Sequence, residues 1–220
     1  MNSGSPAPVM EQQTSGRKRG PTGPAVVLAS GSTARAALLR QAGVGFSVVA
    51  AAVDEAAVKE SLRSAGADGA GVAESLAELK AQRVARRHPG SLVIGADQVL
   101  DCEGSLFDKP ADLAAARRQL LALRGRRHEL LSAVVVVRDG IRQWHHVGRA
   151  TLLMRDFSDE FIDGYLESVG EAALTSVGAY QLEGFGAQLF AHIDGDYFTI
   201  LGLPLLPLLD FLRENGALAS

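Results

Sequence analysis

The stretch SLVIGADQVLDCEGSLFDKP, residues 91–110, joins an apolar strand pattern to a single carboxylate. Its run Leu92-Val93-Ile94 is typical of a strand inside a sheet. Asp97 follows between two apolar segments, where the strand is predicted to end and where an ionised carboxylate is costly without a partner. Lys109 precedes Pro110, which favours an extended backbone and fixes the direction of the chain. The stretch predicts a strand that delivers Asp97 to a functional site, the alternative being a carboxylate that caps backbone N–H groups.

Helical and strand patterns alternate on both sides of this stretch, which predicts one α/β domain, or two lobes around a shared sheet. A strand, a glycine turn, a helix and a strand open the folded part and indicate a βαβ unit. Asp139-Gly140 indicates a tight hairpin turn, and Ser158 is predicted to cap a helix. The predicted strands are 25–29, 46–50, 128–138, 141–154 and 197–203; the predicted helices are 33–42, 72–87, 111–123, 158–169 and 205–215; 61–71 is predicted as a loop and 101–104 as a turn.

Composition bounds the class of protein. The 220 residues are 47% hydrophobic and 21% charged, which is typical of a chain with a sizeable core. The net charge of −3 disfavours a nucleic-acid partner, since such proteins neutralise phosphates with a basic surface. No apolar run reaches the roughly 18 residues of a membrane span, so no membrane partner is expected. The one cysteine, Cys102, excludes an internal disulfide and fits the cytoplasm. Residues 1–24 are predicted as a flexible tail and 25–220 as a single domain.

A small-residue turn follows the first predicted strand. The sequence Ser30-Gly31-Ser32-Thr33-Ala34-Arg35 runs from that strand into a helix. Free backbone N–H groups and the helix dipole favour an anion at such a place, and the hydroxyls and the arginine add donors. The lysine of a P-loop is missing, so the turn is not that motif. An ordinary helix cap with an exposed arginine is the alternative.

Carboxylates follow two of the predicted strands, and two lysines are further candidates for the same site. Asp54-Glu55 follows the second strand and Asp97 follows a later one, and ligands of α/β proteins bind at such ends. Converging carboxylates could hold Mg²⁺ or Mn²⁺ on a phosphorylated substrate, or one could serve as a base for water. A polar turn is the alternative for Asp54-Glu55. Lys80 lies on an arginine-rich helix, where a solvated face is the default, and a hairpin would return Lys109 to the same place.

Six motifs in order resemble the Maf family of nucleoside triphosphate pyrophosphatases across residues 26–215. They are LASGSTAR, Asp54-Glu55, Lys80-Ala81, Gly95-Ala96-Asp97, Lys109-Pro110 and GAYQLEGFGA followed by GLPL. The resemblance implies an elongated mixed sheet with flanking helices that form two lobes around a cleft, similar to the inosine-triphosphatase group. It also implies hydrolysis of a nucleoside triphosphate between the α and β phosphates, nucleotide-pool cleaning, a link to cell-division arrest, and a homodimer.

The resemblance assigns roles to particular residues. Asp97 would be the catalytic proton acceptor for the attacking water, and Glu55 with Asp97 would hold a divalent cation, Mg²⁺ or Mn²⁺. The residues implied to contact phosphates are Ser32, Arg35, Lys80 and Lys109. Arg35 is expected to grip phosphate oxygens in a bidentate way, with the lysines acting as point charges.

Two positions depart from the pattern of the whole family, and two more separate this chain from the usual thymidine and uridine type. Thr33 and Ala34 replace a proline and an arginine, which removes one expected phosphate contact. Gln98 and Glu183 are assigned to base specificity. At these two positions the chain resembles the branch that acts on 7-methyl-GTP, but the sequence does not decide which base is preferred. The lost arginine motivates the alternative of a catalytically weak nucleotide-binding regulator. A third hypothesis is a hydrolase of small, unrelated phosphates.

Overall fold

The computed structural model describes residues 23–219, and one seven-stranded mixed sheet forms its centre. The sheet order is β2-β1-β3-β5-β6-β7, with β4 beside β3. The strands are β1 (Val26–Leu28), β2 (Ser47–Val48), β3 (Leu92–Cys102), β4 (Ser105–Phe107), β5 (Arg127–Arg138), β6 (Ile141–Met154) and β7 (Phe190–Asp194). Since β1 pairs in parallel with both β2 and β3, the predicted βαβ opening is confirmed.

Helices flank both faces of this sheet, which confirms the predicted α/β class. They are α1 (Thr33–Gln41), α2 (Glu55–Ser64), α3 (Gly69–Ala85), α4 (Leu113–Leu123), α5 (Asp159–Val169), α6 (Tyr197–Ile200) and α7 (Leu205–Glu214), with 3₁₀ turns at Gly170–Thr175, Val177–Ala179 and Phe185–Leu189. Ser158 caps α5 as predicted, because its side chain accepts the N–H of Phe161. In the described part of the chain, no helix combines the length and apolar content needed to cross a membrane.

Apolar side chains alternate across β3 and divide the core between the two faces of the sheet. Val93 and Val99 pack with the apolar side of α3, whereas Leu92 and Ile94 pack with α1 and α7. A further cluster joins the far ends of β3, β5 and β6 to α4 and α5, with the buried Tyr165 among its largest side chains. The core thus extends to both sides of the point where β3 changes its partner.

The edge of β3 opposite β5 is paired at its two ends and open in the middle. Residues Leu92–Ile94 pair with β1, and residues Leu100–Cys102 pair with β4. On the other edge, β5 pairs with β3 continuously from Val93 to Asp101. The open stretch, residues 95–99, is therefore held rigidly from one side while its other side faces a gap. Such a change of strand partner is where α/β sheets commonly form a crevice.

Three sequence-based expectations about elements were wrong. Asp97 does not end a strand but lies inside the eleven-residue β3, because β5 continues the pairing after β1 has ended. Residues 197–203 form α6 and a turn instead of a strand, because the Asp196 carboxylate accepts the N–H groups of Phe198 and Thr199 and nucleates a helical turn. The loop predicted over 61–71 is partly α2, which ends at Ser64.

The predicted hairpin between β5 and β6 is confirmed. Asp139 has a φ of 52° and Gly140 a φ of 78°, the two positive values that a two-residue turn of this kind requires. Nearly all of the predicted tail, residues 1–24, lies outside the described residues, which begin at residue 23. The division into a tail and one domain therefore stays a prediction.

Gly95 allows β3 to pass directly against α3. A Cβ at this position would lie 2.0 Å from the carbonyl oxygen of Ala77 and 2.8 Å from the amide nitrogen of Ala81. Both are helix backbone atoms that cannot move without shifting α3. The absence of a side chain at Gly95 thus sets the distance between Lys80, on α3, and the open stretch of β3.

We predict that Gly95→Ala lowers the free energy of unfolding by about 2–3 kcal/mol, because the added methyl forces α3 away from the sheet. The matched control is Gly164→Ala, since a Cβ on this α5 glycine meets nothing within 4 Å. That change should leave stability unchanged or raise it by up to about 1 kcal/mol. Urea unfolding of both variants checks this, and equal stability of the two would contradict the close-packing argument.

Candidate active site

A cleft of about 940 Å³ opens beside the unpaired stretch of β3. The start of α1, the start of α2 and the segments around residues 175–183 and 200–202 complete its walls. All eight residues singled out from the sequence line it: Ser32, Arg35, Glu55, Lys80, Asp97, Gln98, Lys109 and Glu183. The structure brings these side chains together, while the chemical role of each stays a prediction.

Lys80 links the two carboxylates of the cleft. Its Nζ lies 2.6 Å from Oδ1 of Asp97 and 2.7 Å from Oε1 of Glu55. The Lys80 and Asp97 side chains are only 8% and 6% exposed. The default of a solvated lysine was wrong because this side of α3 packs on the sheet. Charges at this depth need partners, and here each carboxylate shares the same ammonium group.

Asp97 keeps one oxygen free. Its Oδ1 is held by Lys80, whereas Oδ2 is buried and has no hydrogen-bond partner among the described residues. No described backbone N–H donates to Asp97, so the alternative of a capping carboxylate is wrong. The capping role belongs to Asp54, whose Oδ1 accepts the N–H of Ala57 at 3.1 Å and starts α2. That cap places Glu55, the next residue, at the cleft.

Arg35 lies buried between β3 and the segment after α6. Its Nε donates to the carbonyl of Gly202 at 2.7 Å, and its Nη1 donates to the carbonyl of Ala96 at 3.0 Å and to Oγ of Ser30 at 3.2 Å. The alternative of an exposed arginine was therefore wrong. Burial lowers the pKa of Arg35, and the charges of Asp97 and Glu55 oppose that shift.

Two of the three guanidinium nitrogens of Arg35 are thus committed to the protein. The carbonyl of Ala96 belongs to the stretch of β3 that has lost its strand partner, and Arg35 supplies the missing donor. Only Nη2 has no partner among the described residues. A grip on phosphate that used Nε or Nη1 together with Nη2 would break these contacts, so Arg35 offers a ligand only the two N–H groups of Nη2 and otherwise holds the wall.

The turn at the start of α1 presents backbone donors to the cleft. Ser32 caps the helix by accepting the N–H of Arg35 at 3.3 Å, and its own N–H donates to Oγ of Ser30 at 3.2 Å. Thr33 and Ala34 occupy the first helical turn, where N–H groups have no intrahelical acceptor, and both line the cleft. This geometry is suited to an anion.

Lys109 lines the same cleft as this turn. It has no carboxylate within ion-pair distance among the described residues, unlike Lys80. Its side chain is reached by solvent, but the surrounding protein limits its hydration. That desolvation lowers the pKa of Lys109, the positive charges of Arg35 and Lys80 lower it further, and Glu55 and Asp97 oppose the shift. An anion bound here would relieve the repulsion between these cations.

The sequence analysis did not single out several residues that shape the cleft. Lys59, one helical turn after Glu55, forms an ion pair with Asp108 across the cleft wall. Tyr180 lines the opposite wall and lies 2.9 Å from Nε2 of His128, whose pKa burial lowers to about 4. The i, i+4 spacing from Glu55 is a signal that could have found Lys59. No local pattern connects His128 with Tyr180, because they are 52 residues apart.

The carboxylates fit a metal that is shared with a substrate. No group of three or more His, Cys, Asp or Glu side chains suited to a metal occurs within residues 23–219. Glu55 and Asp97 nevertheless reach the same ammonium group, and Oδ2 of Asp97 has no partner. Mg²⁺ is commonly held by one or two carboxylates together with substrate phosphates. The donor set thus suits a cation that arrives with a polyphosphate.

An open mixed sheet whose cleft combines lysines, an arginine and carboxylates at a change of strand partner defines an α/β protein suited to a phosphorylated ligand. Residues 25–215 match the family model described as Maf-like protein, and the chain belongs to the Maf family. It is 66% identical over 192 residues to the nucleoside triphosphate pyrophosphatase of Paramagnetospirillum magneticum, covering 87% of this chain and 99% of that protein.

Two further relatives carry related names. The nucleoside triphosphate pyrophosphatase of Granulibacter bethesdensis is 55% identical over 193 residues, covering 88% of this chain and 98% of that protein. The 7-methyl-GTP pyrophosphatase of Mesorhizobium japonicum is 53% identical over 193 residues, covering 88% of this chain and 97% of that protein. The chain is thus similar over nearly the same length to relatives named for different substrates.

We predict that the affinity for inorganic tripolyphosphate falls as pH rises through the pKa of Lys109. A bound anion stabilises the ammonium form and raises this lowered pKa, so binding takes up a proton between the free and bound values. Titration calorimetry between pH 7 and pH 10 measures the affinity. Lys109→Arg should show a flatter dependence, because arginine stays charged. Because both proteins bind the same tripolyphosphate, its own ionisation affects their affinities equally. Equal slopes of affinity against pH for the two proteins would contradict the assignment of the pH dependence to Lys109.

Proposed function

We propose that this protein hydrolyses nucleoside triphosphates to nucleoside monophosphate and pyrophosphate. The single observation that carries the proposal is the buried Lys80 bridge between Glu55 and Asp97 in a cleft that also presents Lys109 and the α1 turn. Carboxylates beside several cations suit a reaction that needs both a base and charge neutralisation. The relatives named nucleoside triphosphate pyrophosphatase support this substrate class.

Asp97 is proposed to accept a proton from the attacking water. Lys80 holds Oδ1 and so fixes the orientation of the carboxylate, while the unpartnered Oδ2 is available to the water. The water oxygen forms a bond to the α phosphorus, the bond from that phosphorus to the α–β bridging oxygen breaks, and pyrophosphate leaves. The water proton passes to Asp97.

Cations and backbone donors are proposed to hold the phosphates. Lys109 lacks a carboxylate partner among the described residues and so has its charge available, whereas the charge of Lys80 is shared with Asp97 and Glu55. Ser32 and the first-turn N–H groups of α1 offer further donors. Arg35 contributes through Nη2, and its hydrogen bonds to the carbonyls of Gly202 and Ala96 keep the cleft wall in place. These groups oppose the charge that develops on the leaving pyrophosphate.

A divalent cation, Mg²⁺ or Mn²⁺, is part of the proposal. Glu55 and Asp97 are the residues that would hold it together with substrate oxygens. When bound, it would neutralise phosphate charge as a Lewis acid. Lys80 already holds the carboxylates of Glu55 and Asp97 close to each other. Both can therefore reach one cation that arrives with the substrate, and the substrate oxygens would supply its other ligands.

The base of the substrate is proposed to meet Gln98 and Glu183. Glu183 is exposed on the cleft wall, where a carboxylate suits an N–H donor edge or a cationic methylated guanine. The relative named 7-methyl-GTP pyrophosphatase supports a modified guanine as one candidate. Removal of modified nucleotides, a link to cell-division arrest, a cytoplasmic location and a homodimer belong to the same proposal, and they rest on the family resemblance and, for the cytoplasm, on the single buried cysteine.

We predict that a panel of nucleoside triphosphates with Mg²⁺ or Mn²⁺ yields pyrophosphate and the monophosphate for at least one member. The panel contains the four ribonucleotides, dTTP and 7-methyl-GTP. Pyrophosphate release and chromatography of the nucleotide product measure the reaction, and addition of a chelator should suppress it. Measurable binding without turnover of any nucleotide would favour the regulator, and turnover of non-nucleotide phosphates alone would favour the third hypothesis.

We predict that Asp97→Asn lowers kcat by about 10²–10⁴-fold, the range expected for loss of a general base. Asp101→Asn is the matched control, because Asp101 lies on the same strand and face but accepts the N–H of Gly104 outside the cleft. Asp101→Asn should retain activity. Near-normal turnover in folded Asp97→Asn would remove Asp97 from the mechanism.

We predict that Glu183→Gln changes the order of preferred bases more than the maximal rate, since it removes a negative charge from the proposed base end of the cleft. The ranking of kcat/KM over the same nucleotide panel measures this. Glu167→Gln, an exposed change on α5 that lies outside the cleft, serves as the control. An unchanged ranking in Glu183→Gln would show that this carboxylate does not read the base.

A further inference from the structure

Ser132 is a buried serine directly behind the cleft wall. It lies on β5 opposite Gln98 of β3 and is 0% exposed. Its hydroxyl donates to the carbonyl of Thr199 at 2.7 Å and accepts from Nε2 of Gln98 at 2.9 Å. The serine thus joins two strands to the segment that follows Asp196, and it does so without touching the cleft itself.

The amide of Gln98 has only one orientation compatible with its neighbours. Its Nε2 lies 3.2 Å from the carbonyl oxygen of Thr199 and 3.0 Å from that of Ile200. Backbone carbonyls only accept hydrogen bonds, so the NH₂ end must face them. Ser132 completes this arrangement, because its proton is already donated to Thr199 and it presents a lone pair to Nε2.

The other end of the amide is therefore turned to the cleft. Oε1 of Gln98 accepts no hydrogen bond from any described residue, and it is not among the buried side-chain atoms that lack a partner. A Cβ on Gly202 would lie 3.5 Å from this oxygen and 3.5 Å from both Nε and Nη2 of Arg35. Because Gly202 has no side chain, a gap remains between the acceptor Oε1 of Gln98 and the donor Nη2 of Arg35.

We propose that Ser132 is a positioning residue that fixes Gln98 with its acceptor towards the substrate, so that the cleft selects nucleotides that donate a hydrogen bond at this point. The inference rests on the proposed function and deepens it. Glu183, a second acceptor that lines the cleft, favours the same kind of nucleotide. The donor is the exocyclic amino group of the base or the 2′-hydroxyl of the ribose.

Two comparisons identify the donor on the substrate. GTP and ITP differ only in the exocyclic amino group, and GTP and dGTP differ only in the 2′-hydroxyl. The wild-type protein should prefer the donor-bearing member of one pair by about tenfold in kcat/KM, the loss expected when a polar group in a site loses its partner. Equal kcat/KM values within both pairs, in a protein that hydrolyses these nucleotides, would overturn the inference while leaving the proposed function intact.

A double-mutant cycle tests whether Ser132 acts through Gln98. Ser132→Ala should reduce the discriminating ratio severalfold through KM, with kcat changed little. In a Gln98→Ala background the same serine change should have no further effect on the ratio. A serine with only a structural role would instead lower the activity on both members of the pair equally, and an effect that persists in the Gln98→Ala background would overturn the proposal.

Gln98→Glu tests the amide orientation without altering the serine. The carboxylate would place an oxygen against the carbonyls of Thr199 and Ile200, so the side chain should turn away and the ratio should fall to about that of Gln98→Ala. Retention of the full ratio would overturn the proposal. Ser91→Ala, a change at a buried serine outside the cleft, is the control for stability and should leave the ratio unchanged. Absence of turnover in the wild-type protein would count against the proposed function instead.

Discussion

The contact on which the site depends is the ion pair of Lys80 with Asp97 and Glu55. An isolated charge at the depth of Asp97 would cost several kcal/mol, so Asp97 and Lys80 are stable there only together, and the half-exposed Glu55 joins the same ammonium group. These three residues come from β3, α3 and the first turn of α2, and their distances of 2.6 and 2.7 Å fix those elements relative to one another. Gly95 makes this possible, because a side chain there would hold α3, and with it Lys80, away from the sheet.

A second constraint is the open edge of β3. A strand that loses its neighbour leaves backbone groups without partners, and Arg35 satisfies one of them through the carbonyl of Ala96. The same guanidinium holds Gly202, while Gln98 and Ser132 hold Thr199 on the same face of the sheet. Since neighbours on a strand point to opposite faces, Asp97 and Gln98 serve different walls of one cleft. The result is a rigid, largely preformed site.

Much of the architecture was predictable because its signals are local. The Asp139-Gly140 turn and the Ser158 cap each depend on a few neighbouring residues, and both were confirmed. The segment 197–203 was mispredicted because an apolar run of that length suits a strand as well as a short helix, and the Asp196 cap decides between them. Lys80 was mispredicted for a different reason: its helix is arginine-rich, and only the packing of α3 on β3 shows which face is buried.

By itself, the sequence determined the α/β class, the order of the motifs and eight of the residues that line the cleft, because these follow from periodicity and from recognisable motifs in a fixed order along the chain. The tertiary structure alone decided that Asp97 lies inside a strand with one carboxylate oxygen free. It also decided that Arg35 is mostly a cross-link, and that Gln98 turns its acceptor outward. The placement of Asp97 depends on the continuous pairing of β3 with β5. The properties of Arg35 and Gln98 depend on backbone carbonyls 61 to 167 residues away from the side chains that bind them, and no local pattern specifies them.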